Sequence, residues 1–270
     1  MTRITTTFAA TRDRGRAAFV AYLTAGDPSL EVTPDLLASL VAGGADIIEL
    51  GVPFSDPMAD GPVLQRAAAR AVARGTSLHR VLEMIATRRS EFPVPVVLFG
   101  YYNPYFRYGV DAVARDARAA GVDGFLCVDL PPEESGDLAA ALARNDLDLI
   151  RLLAPTTPLP RVRRIAASAS GFLYFVSVLG VTGGRSELPA DLPAMVRRVR
   201  QVTTLPIGVG FGVQTPDQAR WVGGFADAVI VGSAIQRVVE EHGAAAPGQV
   251  EAFVRSLTAG MKSADRSAVG

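Results

Sequence analysis

Short apolar runs alternate with longer amphipathic stretches along the whole chain, and no Ser/Gly/Pro-rich block interrupts them. Eight runs, rich in β-branched and aliphatic residues, read as strands over 19–23, 46–50, 94–99, 124–128, 147–152, 172–176, 207–209 and 228–231. Between them the hydrophobic period lengthens to that of a helix. Thr33-Pro34-Asp35 supplies a cap, a first-turn proline and an acid, and Leu36, Leu37, Leu40 and Val41 follow at helical spacing before Gly43. Thr157-Pro158 opens another helix, and Thr215-Pro216-Asp217-Gln218 has capping-box spacing ahead of a helix that runs to Gly223. The widest gap between strands, after Leu50 and before Val94, holds two helical stretches, 62–74 and 78–89, so one is an insertion. The segment 4–16 also reads as a helix and is expected to plug one end of the fold.

Strands this apolar, each followed by a helix, need both faces covered, which calls for a parallel sheet. Eight such units in 270 residues match a closed barrel better than an open doubly wound sheet. The expected fold class is α/β, a single-domain (β/α)8 TIM barrel over residues 1–262. It carries an extra N-terminal helix, an extra helix after strand 2 and a frayed polar tail over 263–270.

Composition narrows the chemistry. Hydrophobic residues make up 49% and charged residues 20%, enough to bury a sizeable core. Basic and acidic residues number 27 each, so no field for nucleic acid arises. Lys262 is the only lysine and sits in the tail, which argues against a core Schiff base. His79, His242 and Cys127 are too few for a metal cluster, so no metal is expected. The histidines read as surface residues and Cys127 as a small core hydrophobe. One cysteine permits no internal disulfide, and the N-terminus lacks an apolar signal or span, so a cytoplasmic location is expected. Catalysis must then rest on carboxylates, hydroxyls and backbone.

Side chains alternate along a strand, so Ala45, Ile47, Glu49 and Gly51 share one face and Asp46, Ile48 and Leu50 the other. Ile48 and Leu50 suit the outer helices, which turns Glu49 into the lumen near the C-terminal end of its strand. That end carries the active site in barrels. Burial there should raise the pKa of Glu49 and let it exchange protons near neutrality. An interior glutamate satisfied by a Tyr or Arg neighbour is the alternative. The following loop, 52–62, carries Asp56 and Asp60 among three prolines. Asp60, just ahead of a helix, is the better second catalytic candidate, whereas Asp56 also suits a turn. Glycine-bearing turns follow the last three strands: Gly180-Val181-Thr182-Gly183-Gly184, Gly208-Val209-Gly210-Phe211-Gly212 and Gly232-Ser233. Such turns let backbone N–H groups approach a phosphate. Tyr174 shares a strand face with Phe172 and Val176, while Tyr101 and Asp129 sit at strand ends.

The stretch from Asp46 to Gly61, Asp-Ile-Ile-Glu-Leu-Gly-Val-Pro-Phe-Ser-Asp-Pro-Met-Ala-Asp-Gly, resembles the signature of the tryptophan synthase alpha subunit family. Further matches follow in order: Tyr22 to Pro28, Asn103-Pro104, Asp129-Leu130-Pro131, Glu133-Glu134-Ser135, Val176-Ser177, Gly180 to Gly183 and Gly208 to Gly212. The resemblance implies retro-aldol cleavage of indole-3-glycerol phosphate to indole and glyceraldehyde 3-phosphate. It implies Glu49 as acid at the ring carbon and base toward the side-chain hydroxyl, with Asp60 on the ring N–H. It assigns Tyr174, Tyr101, Asp129 and Thr182 to substrate, and Gly183, Phe211, Gly212, Gly232 and Ser233 to its phosphate. It also implies a pyridoxal-phosphate-dependent beta subunit as partner in an alpha2beta2 complex, docked against Pro53, Asp56, Asn103 and Pro131, with no cofactor in this chain. A stand-alone indole-releasing lyase and a purely allosteric phosphate-binding activator of the beta subunit are the alternatives.

Overall fold

The computed structural model, which describes residues 1–176, 188–210 and 212–261, closes eight parallel strands into a barrel in chain order. They are β1 (Ala18–Thr24), β2 (Ile47–Gly51), β3 (Val96–Gly100), β4 (Gly124–Cys127), β5 (Asp148–Leu153), β6 (Leu173–Val176), β7 (Ile207–Gly210) and β8 (Ala228–Val231). Each lies within two residues of its expected bounds. Around them run α1 (Arg3–Asp13), α2 (Thr33–Ala42), α3 (Pro62–Ala73), α4 (Leu78–Arg88), α5 (Tyr102–Tyr108) and α6 (Val110–Ala120). The ring continues with α7 (Gly136–Arg144), α8 (Leu159–Ala167), α9 (Leu192–Arg200), α10 (Pro216–Gly223), α11 (Ser233–His242) and α12 (Ala246–Met261). The expected tail, 263–270, and Lys262 lie outside the described residues.

Period-two alternation divides the apolar residues into two clusters. Ala18, Val20, Tyr22, Ile47, Val97, Phe99, Leu126, Ile150, Tyr174 and Ile230 fill the lumen. Phe19, Ala21, Leu23, Ile48, Leu50 and Leu98 face the helices. α1 plugs the N-terminal end of the barrel as expected: Ile4 and Phe8 join the luminal cluster, and the Phe8 ring lies 5.5 Å from that of Phe172.

Three local expectations change. Thr33 is the first residue of α2 rather than its cap, because its hydroxyl accepts from the Gly26 N–H and donates to the Ser29 carbonyl, closing the preceding loop. Thr157 likewise spends its hydroxyl on the Ala154 N–H, and α8 starts after Pro158. The extra helices also exceed the expected two. The seven-residue α5 follows β3, and α12 follows α11 to pack on α10 and α2. The capping box at Thr215 and Gln218 has both reciprocal bonds.

A ring of short side chains seals the bottom. N–H groups at the second residue of β1 and the first residues of β3 and β7 donate to carboxylates that precede the next strand: Phe19 to Asp46 at 2.8 Å, Val96 to Asp123 at 2.9 Å and Ile207 to Asp227 at 2.9 Å. The Ser170 hydroxyl serves Leu149 on β5 in the same way, at 2.9 Å. Each carboxylate also holds an arginine: Arg16 on Asp46, Arg3 and Arg89 on Asp123, and Arg200 on Asp227. A strand start buried without such an acceptor would leave an orphaned donor. Asp123 is 4% exposed, so Asp123→Ala leaves two cations and a strand N–H without it. The expected cost is about 3 kcal/mol, read as a lowered urea midpoint; an unchanged midpoint would contradict the role.

Candidate active site

Glu49 is fully buried on the luminal face of β2, paired in register with Tyr22 of β1 and Val97 of β3. Neither carboxyl oxygen has a hydrogen-bond partner. The alternative of a glutamate satisfied by Tyr or Arg therefore does not hold. Burial alone pushes its pKa up to about 8. Two tyrosines lie beside it, Tyr22 and Tyr174, both held well above the usual phenol range by burial first and by nearby carboxyls second. Glycine makes room for them: a Cβ at Gly51 would fall 2.2 Å from the Tyr22 hydroxyl, and one at Gly210 would fall 2.3 Å from that of Tyr174.

Asp60 sits 9% exposed at the end of the loop after β2. Pro62 at the first turn of α3 and the Asp60 N–H bond to the Pro57 carbonyl, 3.1 Å, fix where that loop ends. The Tyr101 hydroxyl accepts from the Ala59 N–H at 3.0 Å, and the Tyr101 ring lies 5.4 Å from that of Phe54. Burial raises the pKa of Asp60 to about 6, opposed by its hydrogen bond with Tyr101. Tyr101 thus acts on Asp60.

A cleft is lined by Tyr22, Asp60 and Tyr174 together with, after β7 and at the start of α11, Gly212, Gly232 and Ser233. Gly212 has φ 93°, a left-handed conformation that suits glycine. Ser233 begins α11, so the cleft there has helix N–H groups for an anion. α3 and α11 are clamped to one another: Arg66 and Arg70 hold Glu240 at 2.7 and 2.9 Å, and Arg70 and Gln236 hold buried Asp27 at 2.8 and 2.6 Å. Arg66 first, then Arg70, bring the pKa of Glu240 down to about 2.

The structure brings together Glu49, Asp60, Tyr174, Tyr101, Gly212, Gly232 and Ser233, with one correction. Glu49 is fully buried in the lumen and is not among the residues that line the cleft. Asp129 is also displaced from expectation. Its exposed carboxylate accepts from the Tyr102 N–H, 2.7 Å, at the start of α5 and from the Cys127 thiol at 3.4 Å, bordering a separate cavity beside Arg151. Cys127 is buried, and both histidines are exposed. Of the expected docking residues, Asp56, Asn103 and Pro131 are exposed, whereas Pro53 is buried. Thr182, Gly183 and Phe211 lie outside the described residues. Sequence reasoning missed Tyr22, Gln214 and Arg237 as site residues. Alternation along β1 and the four-residue step from Ser233 would have found the first and last. Among the described residues no group of three or more His, Cys, Asp or Glu could hold a metal, and no helix is long and apolar enough to cross a membrane.

The tryptophan synthase alpha chain family model matches residues 8–266. The chain is 50% identical to the tryptophan synthase alpha chain of Geobacter sulfurreducens, covering 95% of this chain and 98% of that one. It is 49% identical to that of Rhizorhabdus wittichii, covering 98% of both. A chain of Mycobacterium tuberculosis tryptophan synthase superposes with a TM-score of 0.89 at 37% identity, over 97% of this chain and 98% of that one. Tryptophan synthase subunit alpha from Legionella pneumophila superposes with 0.88 at 38% identity, over the same shares.

The folded chain keeps the Glu49 proton up to about pH 8, while an unfolded glutamate releases it near 4.5. Between these values the native state binds more protons, so its stability falls as pH rises. Asp60 adds the same sign up to about pH 6, in wild type and variant alike. Glu49→Gln should therefore be more stable than wild type above pH 8, by on the order of 4 kcal/mol, with the gap closing toward pH 4.5. Urea unfolding across pH reads this directly; a gap that did not change with pH would contradict it.

Proposed function

The chain belongs to the tryptophan synthase alpha chain family, and from that membership we propose that it cleaves indole-3-glycerol phosphate to indole and glyceraldehyde 3-phosphate through Glu49 and Asp60. The observation that carries this reading is a buried carboxyl without a hydrogen-bond partner in the lumen of a barrel whose cleft holds a second acid, and burial pushes its pKa up to about 8. A retro-aldol cleavage needs an electron sink, and here the substrate's indole ring serves.

Glu49 begins as the acid and gives its proton to the ring carbon that bears the side chain, producing an indolenine cation. Asp60, a carboxylate above about pH 6, accepts the hydrogen bond of the ring N–H and stabilises the positive charge. The Glu49 carboxylate then takes the proton of the adjacent side-chain hydroxyl as the carbon–carbon bond breaks. The bonding pair returns to the ring, the hydroxyl carbon becomes an aldehyde, and Glu49 ends protonated as it began. Tyr174 and Tyr22 hold the ring beside Glu49, while Gly212, Gly232 and Ser233 hold the phosphate.

The same reading gives the chain a tryptophan synthase beta subunit as partner in an alpha2beta2 complex within the cytoplasm. Pyridoxal phosphate belongs to that subunit. Exposed Asp56, Asn103 and Pro131 form the docking rim, and buried Pro53 is left out of it.

With the beta subunit added, Glu49→Gln and Asp60→Asn should each lower indole release by at least about 100-fold while the chain stays folded. Because Glu49 must start protonated and Asp60 ionised, wild-type kcat/KM should fall below about pH 6 and above about pH 8. A wild-type rate in Glu49→Gln would refute the mechanism. Assay without the partner separates a stand-alone lyase, which would need no activation.

A further inference from the structure

Asp60 and Arg237 are the only charged side chains among the described residues that line the cleft, and none of the proton transfers uses Arg237. Arg237 sits on α11 four residues beyond Ser233, so the two share a helix face. It borders Gly212, Gln214, Gly232 and Ser233, and its guanidinium donates to the Gln214 side-chain oxygen at 3.1 Å. No carboxylate among the described residues pairs with it. Glu240, three residues on, is taken by Arg66 and Arg70, and Glu241 is exposed without pairing to it. Among the described residues the cation is therefore held beside Gly212 and Gly232 by a neutral amide.

We infer that Arg237 is the cationic anchor for the phosphoryl end of the ligand, an inference that rests on the phosphate-bearing substrate proposed above. A phosphate monoester carries close to two negative charges at neutral pH. A helix N-terminus offers only about half a positive charge, and backbone N–H donors carry no formal charge. The guanidinium supplies charge-assisted bonds, and Gln214 holds it ready. With Asp60 also on the cleft wall, the ligand's polarity is set: the phosphoryl group is drawn to Arg237 and repelled by the carboxylate, which leaves the ring end for the acids.

Binding of inorganic phosphate and of glycerol 3-phosphate to the purified full chain, by titration calorimetry, tests this without any cleavage step. Arg237→Gln should weaken both by roughly 10- to 100-fold, as expected for a lost hydrogen bond to a charged group. Arg237→Lys should keep most of the affinity. Wild-type affinity should rise as phosphate loses its second proton, and that rise should shrink in Arg237→Gln. Thermal unfolding checks each variant, and Arg237→Met replaces Arg237→Gln if the latter does not fold. Wild-type phosphate affinity in the neutral variant would overturn the assignment. Failure of the cleavage reading looks different: phosphate binding would still depend on Arg237 while no indole appeared.

Discussion

Closing eight strands around Glu49 removes its carboxyl from water without supplying a donor, and the cost of ionising it there shapes the rest of the site. A charged carboxylate in that lumen would need a partner, so the group holds its proton through neutrality. The neighbouring strands explain why none is present. Val97 on β3 is apolar, and the Tyr22 hydroxyl on β1 lies 3.3 Å from the Thr24 hydroxyl. Gly51 and Gly210 leave room for the two phenols beside Glu49. Stability is given up at this one position in exchange for an acid that is ready at neutral pH.

The eight strands and the inward face of Glu49 were legible because both follow from a local rule, the alternation of side chains along a strand. The capping box at Thr215 was legible for the same reason, since its partners are three residues apart. Other features depend on contacts distant in sequence. Thr33 and Thr157 look like caps, yet loop geometry claims their hydroxyls. The aspartates at the barrel bottom show as acids next to strands but not as acceptors for a different strand's N–H. Asp129 stands at a strand end like a site residue, but α5, a short helix with only Tyr105 buried, takes its carboxylate. Arg237 is one of many arginines until the fold sets it beside Gly212 and Gln214.

Charge in the cleft is distributed rather than neutralised. Asp27, Arg70, Arg66 and Glu240 satisfy one another between α3 and α11, which locks the helix that follows Asp60 to the helix that begins with Ser233. Arg237 and Asp60 stay outside that network. The two helices therefore share an ion-pair clamp, while Asp60 just ahead of α3 and Arg237 on α11 bring opposite charges to the cleft, a layout suited to a ligand with one anionic and one aromatic end.

The central claim is that Glu49 is a neutral acid in the resting protein. Following the carbon-13 shift of its side-chain carboxyl by NMR from about pH 5 to about pH 10 measures that state without any substrate or partner. The account predicts a protonated group at pH 7 with a midpoint near 8. A carboxylate already formed at pH 5 would contradict it.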